Sequence, residues 1–159
     1  MNLREQLLSA ISERRMSGRL WLYSNYHCNL ACRYCLTESS PKVPRRILEQ
    51  AEMVMFATEA RELGFESLGI TGGEPMLVPW MAQVLDALTQ RLPVTVLTNG
   101  TLFTAKRLAE LSPLAERDLT FQLSLDRPDA IANDAMRGPE NFAKVVEAVP
   151  ALIALGFHV

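Results

Sequence analysis

The feature that most constrains this chain is a rhythm: four times, short runs of strand type give way to longer segments of helical period. The runs are Leu20–Tyr23, Ser67–Thr71, Val94–Thr98 and Leu119–Leu125, rich in the β-branched and aromatic residues that suit a pleated surface. The first predicted helix covers 44–63, with Pro44 at its first position and Ile47, Ala51, Val54, Met55 and Thr58 along one stripe until Gly64. The second runs from about Pro79 to Arg91 on Val84, Leu85 and Leu88, and the third begins near Thr104 with Leu108 and Leu111. The fourth carries Phe142, Val145, Val146, Val149, Leu152 and Ile153, closed by Gly156. Strand-then-helix units in succession are the pattern of parallel strands joined by crossover helices, so the fold class is α/β. A fifth strand begins at Phe157–Val159. An unfinished strand leaves a sheet edge unprotected, so the chain is expected to be part of a longer protein or to need a partner.

Ahead of the first strand, residues 3–16 place Leu3, Leu7, Leu8 and Ile11 on one helical face, giving an N-terminal helical segment (1–18) before a core of 19–159. With 48% apolar and 21% charged residues, the 159-residue chain can bury a core without staples, which argues against disorder or a disulfide scaffold. A formal charge of -2 gives no electrostatic footprint for nucleic acid, and Arg14-Arg15 and Arg45-Arg46 are isolated pairs. No apolar run approaches the roughly 20 residues of a membrane span, and no secretory signal opens the chain. A cytoplasmic protein without membrane or nucleic-acid partners is expected.

The chemistry concentrates in His27-Cys-Asn-Leu-Ala-Cys-Arg-Tyr-Cys35, on the loop after the first strand. Cys28, Cys32 and Cys35 have C-x3-C-x2-C spacing, and soft thiolates within eight residues suit one iron–sulfur, zinc or copper(I) centre. Structural zinc needs four protein ligands. With three cysteines in the chain, the fourth would be His27, awkwardly adjacent to Cys28, or His158. A four-iron cube held by three thiolates instead leaves one iron open to an exogenous ligand.

The spacing, with the aromatic Tyr34 before the last cysteine, resembles the signature of the radical S-adenosylmethionine superfamily. Further motifs follow in order. Thr71-Gly-Gly-Glu-Pro75 resembles the family's Gly-Gly-Glu-Pro motif, Thr98-Asn-Gly100 ends the third strand, and Ser124-Leu-Asp126 ends the fourth. The stretch from Asp126 through Met136-Arg-Gly138 to Phe142 is similar to the subgroup with a C-terminal auxiliary-cluster domain, the SPASM or twitch type. Each motif also has a plainer structural meaning: a Pro-containing turn with a capping Glu74, αL turns at Asn99, a helix-entry loop at Asp126, a solvated charge at Arg137. Position favours the chemical meaning, because ligands of parallel α/β folds bind at the carboxyl ends of the strands, where all four loops fall.

The resemblance implies an incomplete TIM-like, partial parallel (β/α) barrel of about four βα units plus the start of a fifth strand. It also implies two cofactors, a [4Fe-4S] cluster on Cys28, Cys32 and Cys35 and S-adenosyl-L-methionine chelating the open iron. Gly72, Gly73 and Glu74 would bind the methionyl amine, Ser124 would lie near the ribose, and Arg137 would meet the carboxylate; Tyr34, Asn99 and Asp126 complete the implied cofactor contacts. The implied activity is reductive cleavage of S-adenosylmethionine to a 5′-deoxyadenosyl radical that abstracts hydrogen from a peptide or cofactor-precursor small molecule. A low-potential electron donor of flavodoxin or ferredoxin type would serve it, and no side chain is needed as general acid or base. His27 would pack or donate a hydrogen bond at the cluster's edge. A zinc-binding structural or interaction module, and a truncated cluster-binding relative without turnover, are the competing readings.

Overall fold

Alternate residues of a β-strand face opposite sides, and in this protein the two sides have different fates. The computed structural model describes residues 2–159. Its strands β1 (Arg19–Tyr23), β2 (Ser67–Thr71), β3 (Val94–Thr98) and β4 (Leu119–Leu123) form a four-stranded, all-parallel sheet in the order β1-β2-β3-β4. Register stacks Leu20 beside Leu68, Val94 and Leu119, and Leu22 beside Ile70, Val96 and Phe121. These rows join Met53, Ala57, Ala60, Val84, Leu85, Leu88, Leu111 and Leu152 in one buried core. The helices concerned are α2 (Gln50–Glu62), α3 (Met81–Thr89), α4 (Ala105–Leu111) and α6 (Asn141–Ala154). Phe121 anchors the core at β4, edge-on to Phe103 and Phe157.

The other rows, such as Trp21 beside Gly69, Thr95 and Thr120, are polar or half-open. The expected parallel α/β sheet therefore forms, as an open partial barrel, and its concave side is not an apolar core. Gly69 leaves room for the indole there: a Cβ at that position would stand 2.2 Å from the Trp21 ring, so the half-exposed indole would have to shift. Among the described residues no helix is long and apolar enough to cross a membrane.

Several expected details change. The helix expected over 44–63 begins only at Gln50, because Ile47 and Leu48 are used elsewhere: Ile47 bridges Asn25 antiparallel and Leu48 N donates to Ser24 O at 2.9 Å. Pro44 is therefore not a helix-opening residue. The stripe on α2 is also rotated, since Met53, Ala57 and Ala60 are buried whereas Ala51, Met55 and Thr58 are exposed. Both stripes have helical spacing, so periodicity alone did not decide which of them faces the core. The N-terminal helix α1 (Leu3–Ser12) stops short of residue 16, with Arg14 at φ 55, and of the expected face Ile11 is buried while Leu3 is exposed. On α6, Val145 and Leu152 are buried with Ala148, while Val146 and Ile153 face outward. The fifth strand is a single parallel bridge, His158 to Thr120. The sequence reading had no helix over 130–137; α5 (Ala130–Arg137) buries only Asn133, so no apolar stripe marks it.

The rotated face of α2 has a direct consequence for stability. Met53→Ala is expected to cost about 2–5 kcal/mol, the range for truncating a fully buried side chain. Met55→Ala is expected to stay within about 0.5 kcal/mol, as for exposed positions. Equal losses in chemical denaturation would contradict the packing.

Candidate metal and cofactor site

The cysteine loop leaves β1 and is closed at its base by backbone pairing rather than by a core. Ser24 N donates to Thr71 O at 2.8 Å, Leu48 N to Ser24 O at 2.9 Å, and Cys28 N to Ser40 O at 3.3 Å. Within it, Cys35 N reaches Cys32 O at 3.2 Å and Glu38 N reaches Cys35 O at 3.1 Å, turning the segment tightly about its sulfurs. From outside, Arg33 N donates to Met136 O near the end of α5 at 3.1 Å.

The Gly72–Glu74 segment lies flat against this loop. Gly73 N donates to Asn25 O at 2.9 Å and Glu74 N to His27 O at 3.1 Å, while Asn25 Nδ2 donates to the carbonyls of His27 and Glu74, each at 3.0 Å. A Cβ on Gly73 would stand 2.1 Å from His27 O, and Gly72 holds φ +147 with its would-be Cβ 2.4 Å from Asn25 O. Both obstacles are backbone and cannot swing aside, so both glycines are dictated by this contact between loops.

Glu74 has a task that its sequence position did not reveal. Its carboxylate is fully buried; Oε1 accepts from Met76 N at 2.9 Å and Thr98 Oγ1 at 2.7 Å, and Oε2 accepts from Asn99 N at 2.7 Å. The side chain thus bolts the end of β2 to the end of β3 from below. Burial pushes its carboxyl pKa up, against these donors and the charge of Arg107. Arg107, which the sequence reading passed over, braces the same place by donating to Met76 O at 2.9 Å.

The four loops enclose one cavity of about 300 Å³ at the carboxyl ends of the strands. Cys28, Cys32, Cys35, Tyr34, Gly72, Gly73, Asn99, Ser124 and Arg137 all line it, whereas Glu74 and Asp126 do not. Thr37 and Ser39 also line it and escaped the sequence reading, having no motif around them. Asp126 works from behind: Arg137 Nη2 donates to its Oδ1 at 2.9 Å, and the Tyr34 hydroxyl donates to its Oδ2. The Arg137 guanidinium also sits 5.6 Å from the centre of the Tyr34 ring. Burial opposes the Asp126 carboxylate, but Arg137 and Tyr34 outweigh it and hold its pKa below the ordinary value; Tyr34 is pushed up to about 12 by burial and by this hydrogen bond.

The three thiols differ. Burial pushes Cys28 and Cys32 up. Burial acts on Cys35 in the same direction, yet the Thr37 hydroxyl at 3.3 Å, the N–H groups of Ser39 and Thr37 and the Ser39 hydroxyl bring it below its ordinary value. Of the three, Cys35 is therefore the thiol that ionises at the lowest pH. Among the described residues no three His, Cys, Asp or Glu side chains gather tightly enough for a single ion. A tetrahedral zinc, with Zn–S near 2.3 Å, needs donors within about 4 Å of one another. His158 pairs with Thr120 at the opposite end of β4, and the buried His27 has its imidazole beside Asn25, its pKa held down by burial and by Arg45. Cys28, Cys32 and Cys35 all border the same cavity, and neither histidine does.

Alkylation mapping of the cluster-free chain checks this ranking. Cys35 is expected to react with iodoacetamide first, and its rate to rise at lower pH than those of Cys32 and Cys28, because its thiolate forms at lower pH. A faster Cys28 would contradict it.

Comparison with known proteins agrees with this geometry. Residues 22–159 match the model of the Radical SAM superfamily. Mycofactocin maturase MftC of Mycobacterium ulcerans (strain Agy99) is 34% identical over 134 residues, covering 83% of this chain and 35% of that protein. GTP 3',8-cyclase 3 of Mycobacterium bovis (strain ATCC BAA-935 / AF2122/97) is 29% identical over 152 residues, covering 90% of this chain and 39% of that protein. In fold, 96% of the chain superposes on 36% of Streptococcus suis SuiB bound to S-adenosylmethionine, with a TM-score of 0.76 at 20% identity. The chain spans about a third of the length of these proteins. It belongs to the Radical SAM superfamily, whose cofactors are a [4Fe-4S] cluster and S-adenosyl-L-methionine.

Proposed function

We propose that this chain is the cluster- and cofactor-binding part of a radical S-adenosylmethionine enzyme. The observation that carries the reading is that Cys28, Cys32, Cys35, Gly72, Gly73, Asn99, Ser124 and Arg137 all line one cavity at the carboxyl ends of four parallel strands. When bound, the cofactor pair supplies one-electron reductive cleavage of a sulfonium and a 5′-deoxyadenosyl radical for hydrogen abstraction.

The residues divide the remaining work. Cys28, Cys32 and Cys35 hold the cluster. Gly72 and Gly73 let the β2 loop approach a ligand amine with backbone alone, while Glu74 keeps that loop and the β3 loop in place rather than touching the ligand. Ser124 faces the ribose side, and Arg137 offers a planar guanidinium to a carboxylate. Tyr34 and Asp126 hold Arg137 and the cysteine loop against the end of β4, and Asn99 contacts the cluster side. No proton transfer by a side chain is required. Reduction comes from a low-potential flavodoxin- or ferredoxin-type donor, in a cytoplasmic setting that keeps thiols reduced.

For the whole protein, a peptide substrate is the favoured reading, because a close fold neighbour, SuiB, has been seen bound to a precursor peptide, SuiA. The GTP 3',8-cyclase relatives favour the second reading, a small-molecule cofactor precursor. Incubating the whole protein with dithionite, S-adenosylmethionine and a deuterated compound of either class, and following deuterium transfer from it into 5′-deoxyadenosine, separates the two.

Anaerobic reconstitution with iron and sulfide tests the core proposal. The chain is expected to turn brown with four irons per protein, and Cys32→Ala to stay colourless. A colourless wild type with stoichiometric zinc would overturn it. Gly73→Ala, whose Cβ collides with His27 O, is expected to lose S-adenosylmethionine binding and cost about 1–3 kcal/mol of stability. Gly69→Ala, obstructed only by a half-exposed indole, is expected to do less on both counts.

A further inference from the structure

We infer that the Asn99 side-chain amide is a built hydrogen-bond donor to the Cys28 sulfur, and that it raises the reduction potential of the cluster held there. The inference rests on the reading of Cys28, Cys32 and Cys35 as cluster ligands.

Asn99 Nδ2 lies 3.6 Å from Cys28 Sγ, an ordinary separation for an N–H donor to the large sulfur atom. Its orientation is fixed. Asn99 Oδ1 accepts from Thr101 N at 3.0 Å and from Thr101 Oγ1 at 2.7 Å, and a backbone N–H can only donate. Nδ2 must therefore turn the other way, where one proton goes to Asn29 Oδ1 at 2.9 Å and the other to the sulfur. Asn29 is itself held by donating to Thr101 Oγ1 at 2.8 Å.

The backbone of Asn99 is anchored at both ends as well. Its N–H donates to Glu74 Oε2 at 2.7 Å, and its carbonyl accepts from Asn141 Nδ2 at 3.2 Å. Asn141 in turn accepts from Asn133 Nδ2 at 2.9 Å, and Asn133 Oδ1 accepts from Asp126 N at 3.1 Å. A buried residue so constrained cannot turn its amide away when charge accumulates on the sulfur. Leu30 N donates to the same Sγ at 3.4 Å, and Cys35 has the Thr37 hydroxyl, whereas the polar contact of Cys32 is its own S–H facing Arg137 O at 3.9 Å. Hydrogen bonding to the ligand sulfurs is thus uneven, and Asn99 is the side chain that serves Cys28.

An N–H dipole pointed at a ligand sulfur favours the state with the extra electron, so removing it lowers the potential. Asn99 acts through Cys28 and is a positioning residue; a merely structural role would alter cluster content or melting but leave the potential where it was.

The test titrates the EPR signal of the reduced cluster against ambient potential, in dithionite-poised samples of reconstituted wild type, Asn99→Ala and Asn99→Asp. Asn99→Asp keeps the shape and the acceptor facing Thr101 while replacing the donor. Both variants are expected to show a reduced-to-oxidised ratio about tenfold smaller at a fixed ambient potential, equal to about 59 mV for one electron. A fully loaded variant with an unchanged ratio overturns the inference, and so does failure of both variants to assemble a cluster that the wild type assembles. Failure of the wild type itself to assemble one overturns the underlying functional reading instead.

Discussion

A carboxylate with no exposed surface organises the functional end of this protein. Taking Glu74 out of water costs several kcal/mol, and the cost is tolerable only because Met76 N–H, Thr98 O–H and Asn99 N–H converge on its two oxygens with the Arg107 charge nearby. The same three bonds tie the end of β2 to the end of β3. Remove the acceptor and three buried donors are left without partners, each at about 1–3 kcal/mol. The position of Asn99, and through it the hydrogen bonding of Cys28, follows from where this one charge sits.

Asparagines extend the arrangement. Asn25, Asn99, Asn133 and Asn141 are all buried; Asn25, Asn99 and Asn141 link segments far apart in sequence, and Asn133 ties α5 to the start of α6. The helix-facing half of the sheet is held by apolar packing; the cavity end is held by a polar network in which nearly every member has its partners. The division has a physical reason. A ligand site must present donors and acceptors, so apolar side chains cannot fill its walls, and rigidity there has to come from fully satisfied hydrogen bonds.

Much of the fold was legible because each strand carries a strand-type run and helical spacing follows it, with Gly64 and Gly156 as stop signals, and the parallel sheet followed from their alternation. The cysteines were legible by spacing, and the cavity lies on the strand ends where that reading put it. What stayed hidden was set by tertiary contact. Ile47 looks helical until Asn25 claims it for a bridge, and the buried side of α2, with Met53, Ala57 and Ala60, shares its spacing with an exposed stripe that holds Ala51, Met55 and Thr58. The motif at Gly72–Glu74 reads in sequence both as a ligand cradle and as a turn with a capping carboxylate. Glu74 does cap Met76 N, and the sequence could not show that the two cavity-lining glycines also pack on the backbone of Asn25 and His27 or that the same carboxylate reaches β3. Thr37 and Ser39 gave no signal, because a hydroxyl beside a thiol is visible only once the loop has folded.

The pairing of Arg137 with Asp126 bears on how a carboxylate is received. Arg137 presents a side chain only 10% exposed, with Nη2 donating to Oδ1 and Nε 2.9 Å from Oδ2 but aligned too poorly to donate. Its charge is thus already largely neutralised, and Asp126 is further engaged by Tyr34. In the role proposed for Arg137, an incoming carboxylate would meet a guanidinium whose orientation is fixed at no further entropic cost, but whose field is weakened by the resident acid. Arrangement rather than raw charge governs the affinity Arg137 can give, and because Tyr34 shares the clasp, that arrangement is tied to the loop that carries the sulfurs.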